Sequence, residues 1–291
     1  MSERAPAPPP ALHGRLLLLC ADDFGLSRGV DEAIADLVHH GRLSAFSCLS
    51  NGQAWAQDAA LARSLRPQAQ VGLHFNLTEG MPLSPALACV WPKLPALPRL
   101  IADAHLGRLP LAAIAAELAA QWQAVADGLG AAPDFIDGHQ HVHHLPGVRQ
   151  ALLDWLQRQP AVPAVRNTGH LAGPGFGLKR WLIERTGGRA LAKALRQRRW
   201  PHNSVLLGAY DFTAAYRPLM QAWLRQVPAS GALLFCHPGL AAAVGDAPDA
   251  IAAARVRELA YLSGPEFAAD LQAAGVVLTP TTRRAPTSHG G

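Results

Sequence analysis

The sequence predicts an α/β protein, a distorted (β/α) barrel of about seven parallel strands in a single domain. Three observations carry this reading. Short apolar runs alternate with amphipathic helical stretches seven or eight times along 291 residues. The first run, LLLLCA at 16–21, is apolar without interruption, as in a strand covered on both faces. No linker-like break separates the repeats, and α/β barrels routinely use this length as one unit. A doubly wound open sheet is the rival; in both architectures the chemistry collects where strands end and loops begin.

In chain order, residues 1–14 are rich in Pro and Ala and are expected to form a disordered tail, followed by the barrel over 15–280 and a second disordered tail over 281–291. After the first strand, Ser27 caps a helix with Asp31 and Glu32 in its first turn and a stop near Gly41. Residues 44–49 and 70–77 are strands separated by an Ala-rich helix over 54–65. Residues 84–110 are Pro-rich and expected to be irregular, and a clear helix runs from Leu111 to about Leu129. A strand starts at Pro133 and reaches Asp137, and 147–157 is a helix. Residues 162–167, 204–208, 231–236 and 275–278 complete the strands, each preceded by helical sequence.

Composition excludes several classes. With 49% apolar and 16% charged residues the chain can bury a large core and lacks the signature of disorder. Its longest purely apolar run, 16–21, is far short of the roughly 20 residues of a membrane span. That run is also short for an export signal, and two aspartates follow it, so a cytoplasmic protein is expected. The four cysteines (Cys20, Cys48, Cys89, Cys236) are far apart without a CxxC, which suits reduced thiols. Cys236 and its neighbour His237 would point to opposite faces of a strand and so do not read as a thiol–imidazole pair. The net charge of +5 is local: residues 179–199 hold eight Lys and Arg against Glu184 alone, so that segment carries +7 and the remainder −2. A nucleic-acid surface is not indicated, and a solvated helical face is favoured over a patch for an anionic substrate, partner or lipid surface.

The segment DGHQHVHHL, 137–145, places four of the thirteen histidines within six positions. It begins at the end of a predicted strand, and Asp137, His139, His141 and His143 share one parity, so an extended chain would set them on one face. Gly138, Pro133 and Pro146 argue against a helix there. Asp22 and Asp23 directly follow the first strand, His74 lies in the strand GLHFNL, and His237 ends another in CHPG. Taken singly, each reads as a cap or a hydrogen-bonded, half-buried side chain. Together they read as a site, because burying two adjacent carboxylates beside several imidazoles is costly unless a cation or a catalytic role compensates. A mixed oxygen and nitrogen donor set suits one borderline divalent ion such as Zn2+, with Mg2+ less favoured by imidazole. Trp91, Trp200 and Tyr210 fall where an aromatic can stack on a sugar ring, and Trp122, Trp155 and Trp181 in helical core patterns.

ADDFGLS at 21–27, VGLHFNLTEGMPL at 71–83, DGHQHVHHLP at 137–146 and CHPG at 236–239 resemble the YdjC-like carbohydrate deacetylases. That family includes chitooligosaccharide and hopanoid-associated deacetylases. The likeness runs in order over about residues 16 to 280, and DGHQHVH is nearer the chitooligosaccharide type than the Asn-Ala-His-Lys-His wording of the hopanoid-associated members. The resemblance implies a distorted β/α barrel that holds one divalent ion (Zn2+ or Mg2+, with Co2+ a further candidate) and removes N-acetyl groups from an amino sugar. It implies Asp23, His74 and His139 as ligands, Asp22 as general base and His237 as general acid. Arg166 and His143 are assigned to substrate binding, with a loop salt bridge an equal reading of Arg166, while His141 and His144 stay open between orienting a ligand, touching sugar and lying at the surface. The expected partner is an N-acetylated saccharide, and a homodimer is the default assembly. Two readings compete: a metal-dependent phosphoesterase or amidohydrolase, which would gather ligands for two or three ions, and a non-catalytic carbohydrate-binding barrel.

Overall fold

At the centre of the sheet lies β1 (Arg15–Phe24), buried from Leu19 onward. The computed structural model describes residues 14–279, so the expected tails, residue 14 apart, lie outside the described residues. Downstream of β1, α1 (Arg28–His39) buries Val30, Ile34, Leu37 and Val38, the i, i+4, i+7, i+8 stripe of a helix lying on a sheet. Then come β2 (Ala45–Cys48), α2 (Trp55–Leu65) and β3 (Gln70–Phe75). The stretch expected to be irregular contains two short helices, α3 (Pro85–Ala88) and α4 (Leu97–His105). Proline in the first turn of each explains the difference: at a helix start the missing N–H costs nothing and the fixed φ favours the first turn.

The long α5 (Leu111–Leu129) leads into β4 (Phe135–Gly138), and α6 (Val148–Gln157) precedes β5 (Ala164–Val165). Next are α7 (Gly177–Ile183), α8 (Arg189–Arg198), β6 (Leu206–Leu207), α9 (Tyr216–Arg225) and β7 (Ala232–Cys236). The last elements are α10 (Ala252–Ser263), α11 (Pro265–Ala274) and β8 (Val276–Leu278). None of the described helices is long and apolar enough to cross a membrane.

All pairings are parallel, and the sheet order is β5-β4-β3-β2-β1-β7-β6. The eighth strand is an offset: the carbonyls of Leu17 and Leu19 accept from Thr279 and Ser44, so β8 runs beside the start of β1 and β2 beside its end. Among the described residues, the curled sheet closes through single bridges, Val165 to His202 and Leu171 to Leu206. This is the expected distorted barrel, seven strands around its path with one short addition. Side chains of β1 alternate between two cores. Leu17, Leu19 and Ala21 join the large cluster beneath the helices, whereas Cys20 joins Phe135, Leu206 and Leu233 in the barrel interior. Asp22 follows Cys20 on that inward parity.

Candidate active site

The carboxyl ends of β1, β3, β4 and β7 bring the distant motifs together. Between Ala21 and Phe24 the register against β2 shifts, so three steps on β1 face two on β2, and Asp23 takes a positive φ of 73°. Such a bulge with a non-glycine residue in the left-handed region is a locally strained feature that re-aims a side chain. It lets two adjacent carboxylates serve different partners.

Asp23 faces the imidazoles. Its Oδ1 is 3.2 Å from His74 Nε2 and 3.0 Å from His139 Nδ1, and those two nitrogens are 3.3 Å apart. All three residues are buried. Donor atoms bound to one ion at about 2.1 Å stand roughly 3.0 to 3.4 Å from each other, so the spacing and the O, N, N chemistry both fit a single divalent cation. Behind this trio, His74 Nδ1 lies 2.6 Å from Asp137 Oδ1 and 3.0 Å from Ser47 Oγ, the carboxylate–imidazole arrangement that fixes a ligand's tautomer. His139 Nε2 lies 3.3 Å from Glu79 Oε1. The second oxygen of Asp23 accepts from Arg255 Nη2 at 2.8 Å, and Arg255 is itself tied to Asp249.

The electrostatics follow from this packing. Burial opposes charging of His74, but Asp137 and Asp22 raise its pKa to about 10. Burial likewise opposes charging of His139, and Asp23 raises it to about 9. Asp23 resists the upward push of burial because Arg255 and His139 hold it well below the usual carboxylate range. The trio thus concentrates positive charge on its nitrogens against a fixed carboxylate, a balance that a bound cation would take over.

Asp22 faces the opposite way. Arg166 grips it with two bonds of 2.6 Å, Nη1 to Oδ2 and Nη2 to Oδ1, and Nη2 also lies 2.5 Å from Asp137 Oδ2. The atoms of Cys20, Asp22 and Asp137 are close enough together to resemble a second ion site, but the guanidinium of Arg166 already supplies the cation there. Arg166 is 1% exposed and does not line the cavity bordered by Asp22 and Asp23, and of its two readings from the sequence, sugar contact and salt bridge, it is the ion pair that the structure contains. The physical reason is charge: two buried carboxylates need a buried counterion.

The histidine segment is not extended. His139–His144 form a 3-10 turn in which Gln140 and His141 take positive φ angles, so the shared parity has no consequence for side-chain direction. A Cβ at Gly138 would sit 2.6 Å from His143 Nδ1, so only glycine lets the turn fold back this tightly. His143, expected at the substrate, is fully buried with Nε2 2.9 Å from the Arg166 carbonyl and braces the chain just after β5. His144 bonds Thr168, and His141 packs edge-on against Phe235.

His237, at the end of β7, packs against Phe212 and Phe235. Burial lowers its pKa to about 4. Glu258, fully buried on α10, accepts from the His237 backbone N–H at 2.6 Å and from Tyr210 Oη at 2.5 Å, and lies 4.0 Å from His237 Nδ1. Burial pushes Glu258 up to about 7. Asp22, Asp23, His74, His139, His237 and Arg255 all line one cavity of about 680 Å3.

Sequence reasoning missed Arg255, Glu258 and Glu79. The signal for the first two was a charged pair on the apolar face of α10, in the turns that also bury Ala254, Tyr261 and Leu262. Glu79 stands in the FNLTEG motif itself. Of the aromatics, Tyr210 is core rather than a stacking platform, Trp91 is buried, Trp155 is core as expected, and Trp181 is exposed.

Comparison with known proteins points one way. A family model described as YdjC-like protein matches residues 16–273. A carbohydrate deacetylase of Mus musculus is 34% identical over 292 aligned positions, covering 90% of this chain and 92% of that protein. A chitooligosaccharide deacetylase of Enterobacter sp. (strain 638) is 40% identical over 141 positions, but the match spans only about half of each chain, 46% and 52%. Among solved structures, one from Enterococcus faecalis V583, provisionally named a cellobiose-phosphate cleavage protein, superposes with a TM-score of 0.72 at 18% identity, covering 92% of this chain and 97% of that one. That likeness concerns the fold.

Proposed function

The chain belongs to the YdjC-like family, and from that premise we propose that it is a metal-dependent carbohydrate deacetylase that hydrolyses the N-acetyl group of an amino sugar to release acetate. The observation that carries the reading is the trio of donor atoms 3.0–3.3 Å apart beside a differently held carboxylate, all lining one cavity.

Asp23, His74 and His139 would hold the ion, which is Zn2+, Mg2+ or Co2+. When bound, it supplies Lewis acidity to the acetyl carbonyl and to the attacking water. Asp22 accepts the water's proton. Each of its oxygens takes one bond from Arg166; Oδ1 also accepts from Ser47 Oγ, while Oδ2 keeps a lone pair for that task, and the fork holds the carboxylate in a single orientation. His237 gives a proton to the departing nitrogen. Burial lowers its pKa to about 4, so the imidazolium is a strong acid when it forms, and Glu258 holds the residue in place by accepting its backbone N–H. Arg255 holds the second oxygen of Asp23, leaving Oδ1 for the ion.

Phosphoesterases and amidohydrolases that use two or three ions need further ligands, and here the neighbouring acidic cluster is filled by Arg166. The deciding experiment is acetate release from N-acetylated mono-, di- and lipid-linked saccharides, with the ion counted by elemental analysis. The expected result is one ion per chain and turnover lost on chelation and in Asp23→Ala. Full turnover by an Asp23→Ala protein that still retains its ion would end the assignment.

A further inference from the structure

One segment has no part in the chemistry above. No residue of α7 is buried, and three large apolar side chains stand along it: Leu178 at 72% exposure, Trp181 at 51% and Leu182 at 46%. Their i, i+3, i+4 spacing places them on one face of the helix. Single exposed apolar residues are ordinary, but an uncovered cluster of this kind marks a surface that meets something. The same segment concentrates charge, since 179–199 carries +7 in a chain of net +5. The Arg185 guanidinium lies against the Trp181 ring at 5.9 Å. On α8, Leu191 and Leu195 are buried while Lys193 and Arg196 are exposed; Arg189 is exposed too but is ion-paired with Glu184 at 2.9 Å. Leu178, Lys179 and Leu182 also line the catalytic cavity, so one edge of the patch borders it.

We propose that α7 is a membrane-docking helix that seats on a lipid surface bearing anionic headgroups. Leu178, Trp181 and Leu182 enter the boundary between headgroups and acyl chains, and Arg185 with the exposed cations of α8 meets the phosphates. Aliphatic and indole side chains beside Lys and Arg are what an interfacial helix uses, and each cation near such a surface adds attraction. A nucleic acid or an acidic protein would engage the charges and leave the three apolar side chains in water. A second copy of this chain would present the same +7 and be repelled. Docked in this way, the cavity opens at the lipid surface and receives saccharides held there.

The test is co-sedimentation of the full chain with vesicles of phosphatidylcholine alone and of phosphatidylcholine with about 30% phosphatidylglycerol. Partition onto the anionic vesicles is expected to be at least tenfold stronger than onto the neutral ones and to fall in about 0.5 M salt. A Leu178→Ser/Trp181→Ser double variant and an Arg185→Glu/Lys193→Glu double variant are each expected to weaken it about tenfold or more. Their melting temperatures should stay close to the parent's, because these side chains are exposed. Equal partition onto both vesicles, or none, overturns the proposal. So does a dimer on size exclusion that only the apolar variant dissolves, or retention on heparin that only the charge variant loses without vesicle binding. The readout does not pass through acetate release, so it stands or falls apart from the proposed activity.

Discussion

The barrel has a tightly laddered side and a seam. Along β2-β3 and β1-β7 the backbone pairs in unbroken registers of four and five residues, and these strands carry Asp22, Asp23, His74 and His237 to their ends. Across the barrel, β5 and β6 are two residues long, and among the described residues the strands meet through isolated bridges. Side chains do there what the ladder does elsewhere. Asn203 Oδ1 accepts from the Asn167 N–H at 2.7 Å, Asn203 Nδ2 returns a bond to the Asn167 carbonyl at 3.0 Å, and Arg166 ties β5 across the interior to Asp22 on β1 and Asp137 on β4. The lesson is that the laddered side fixes chemistry by backbone geometry, while the seam holds itself by side-chain bonds and charge and leaves α7 at the edge of the cavity.

Substitutions on the two sides sharpen or break that contrast. The largest effect is expected for His74→Ala, which removes a donor from the laddered side. Its ion affinity should fall by more than the 10- to 100-fold that loss of an outer-sphere partner costs, read by elemental analysis and acetate release while the fold persists. Next is Arg166→Met at the seam, which strands Asp22 and Asp137 as buried charges without a counterion. A stability loss of about 3–5 kcal/mol is expected in denaturant melts. A loss below about 1 kcal/mol would show that the guanidinium is not what closes the barrel.

Asn203→Ala removes the side-chain bonds that substitute for a ladder and should cost about 1–2 kcal/mol by the same measurement. No change would mean the seam rests on Arg166 alone. An effect of a different kind, on the pH dependence of stability, is expected for Asp31→Asn on α1. Asp31 accepts from the Gly25 N–H beneath the bulge, and burial raises its pKa to about 9. The native chain therefore keeps a proton that the unfolded chain gives up. Wild-type stability should fall as pH rises from about 4 towards 9, and the Asn variant should lose that slope. Thermal melts near pH 5 and pH 8.5 check the sign: the variant should gain on wild type at the higher pH.

Much of this was legible in the residues. Every strand could be read from an apolar run bounded by turn residues, because burial on both faces leaves no other pattern; all eight observed strands overlap the predicted runs, with β1 and β4 extending past theirs. The trio Asp23, His74 and His139 was named from its motifs. What was not legible depends on contacts between distant positions. Arg166 read equally as a sugar contact or a loop salt bridge, because nothing near it in the chain says that its counterions lie 144 and 29 positions away. The direction of each imidazole in 139–144 was set by a tight turn over Gly138, and Arg255 and Glu258 were hidden on a late helix.

By itself the sequence determined the alternation of elements, the set of strand ends that carry chemistry and the donor types available there, because local periodicity and residue chemistry are properties of the chain. Only the tertiary structure decided which carboxylate meets imidazoles and which meets a guanidinium, since that choice turns on a one-residue bulge and on charges neutralised across the barrel interior.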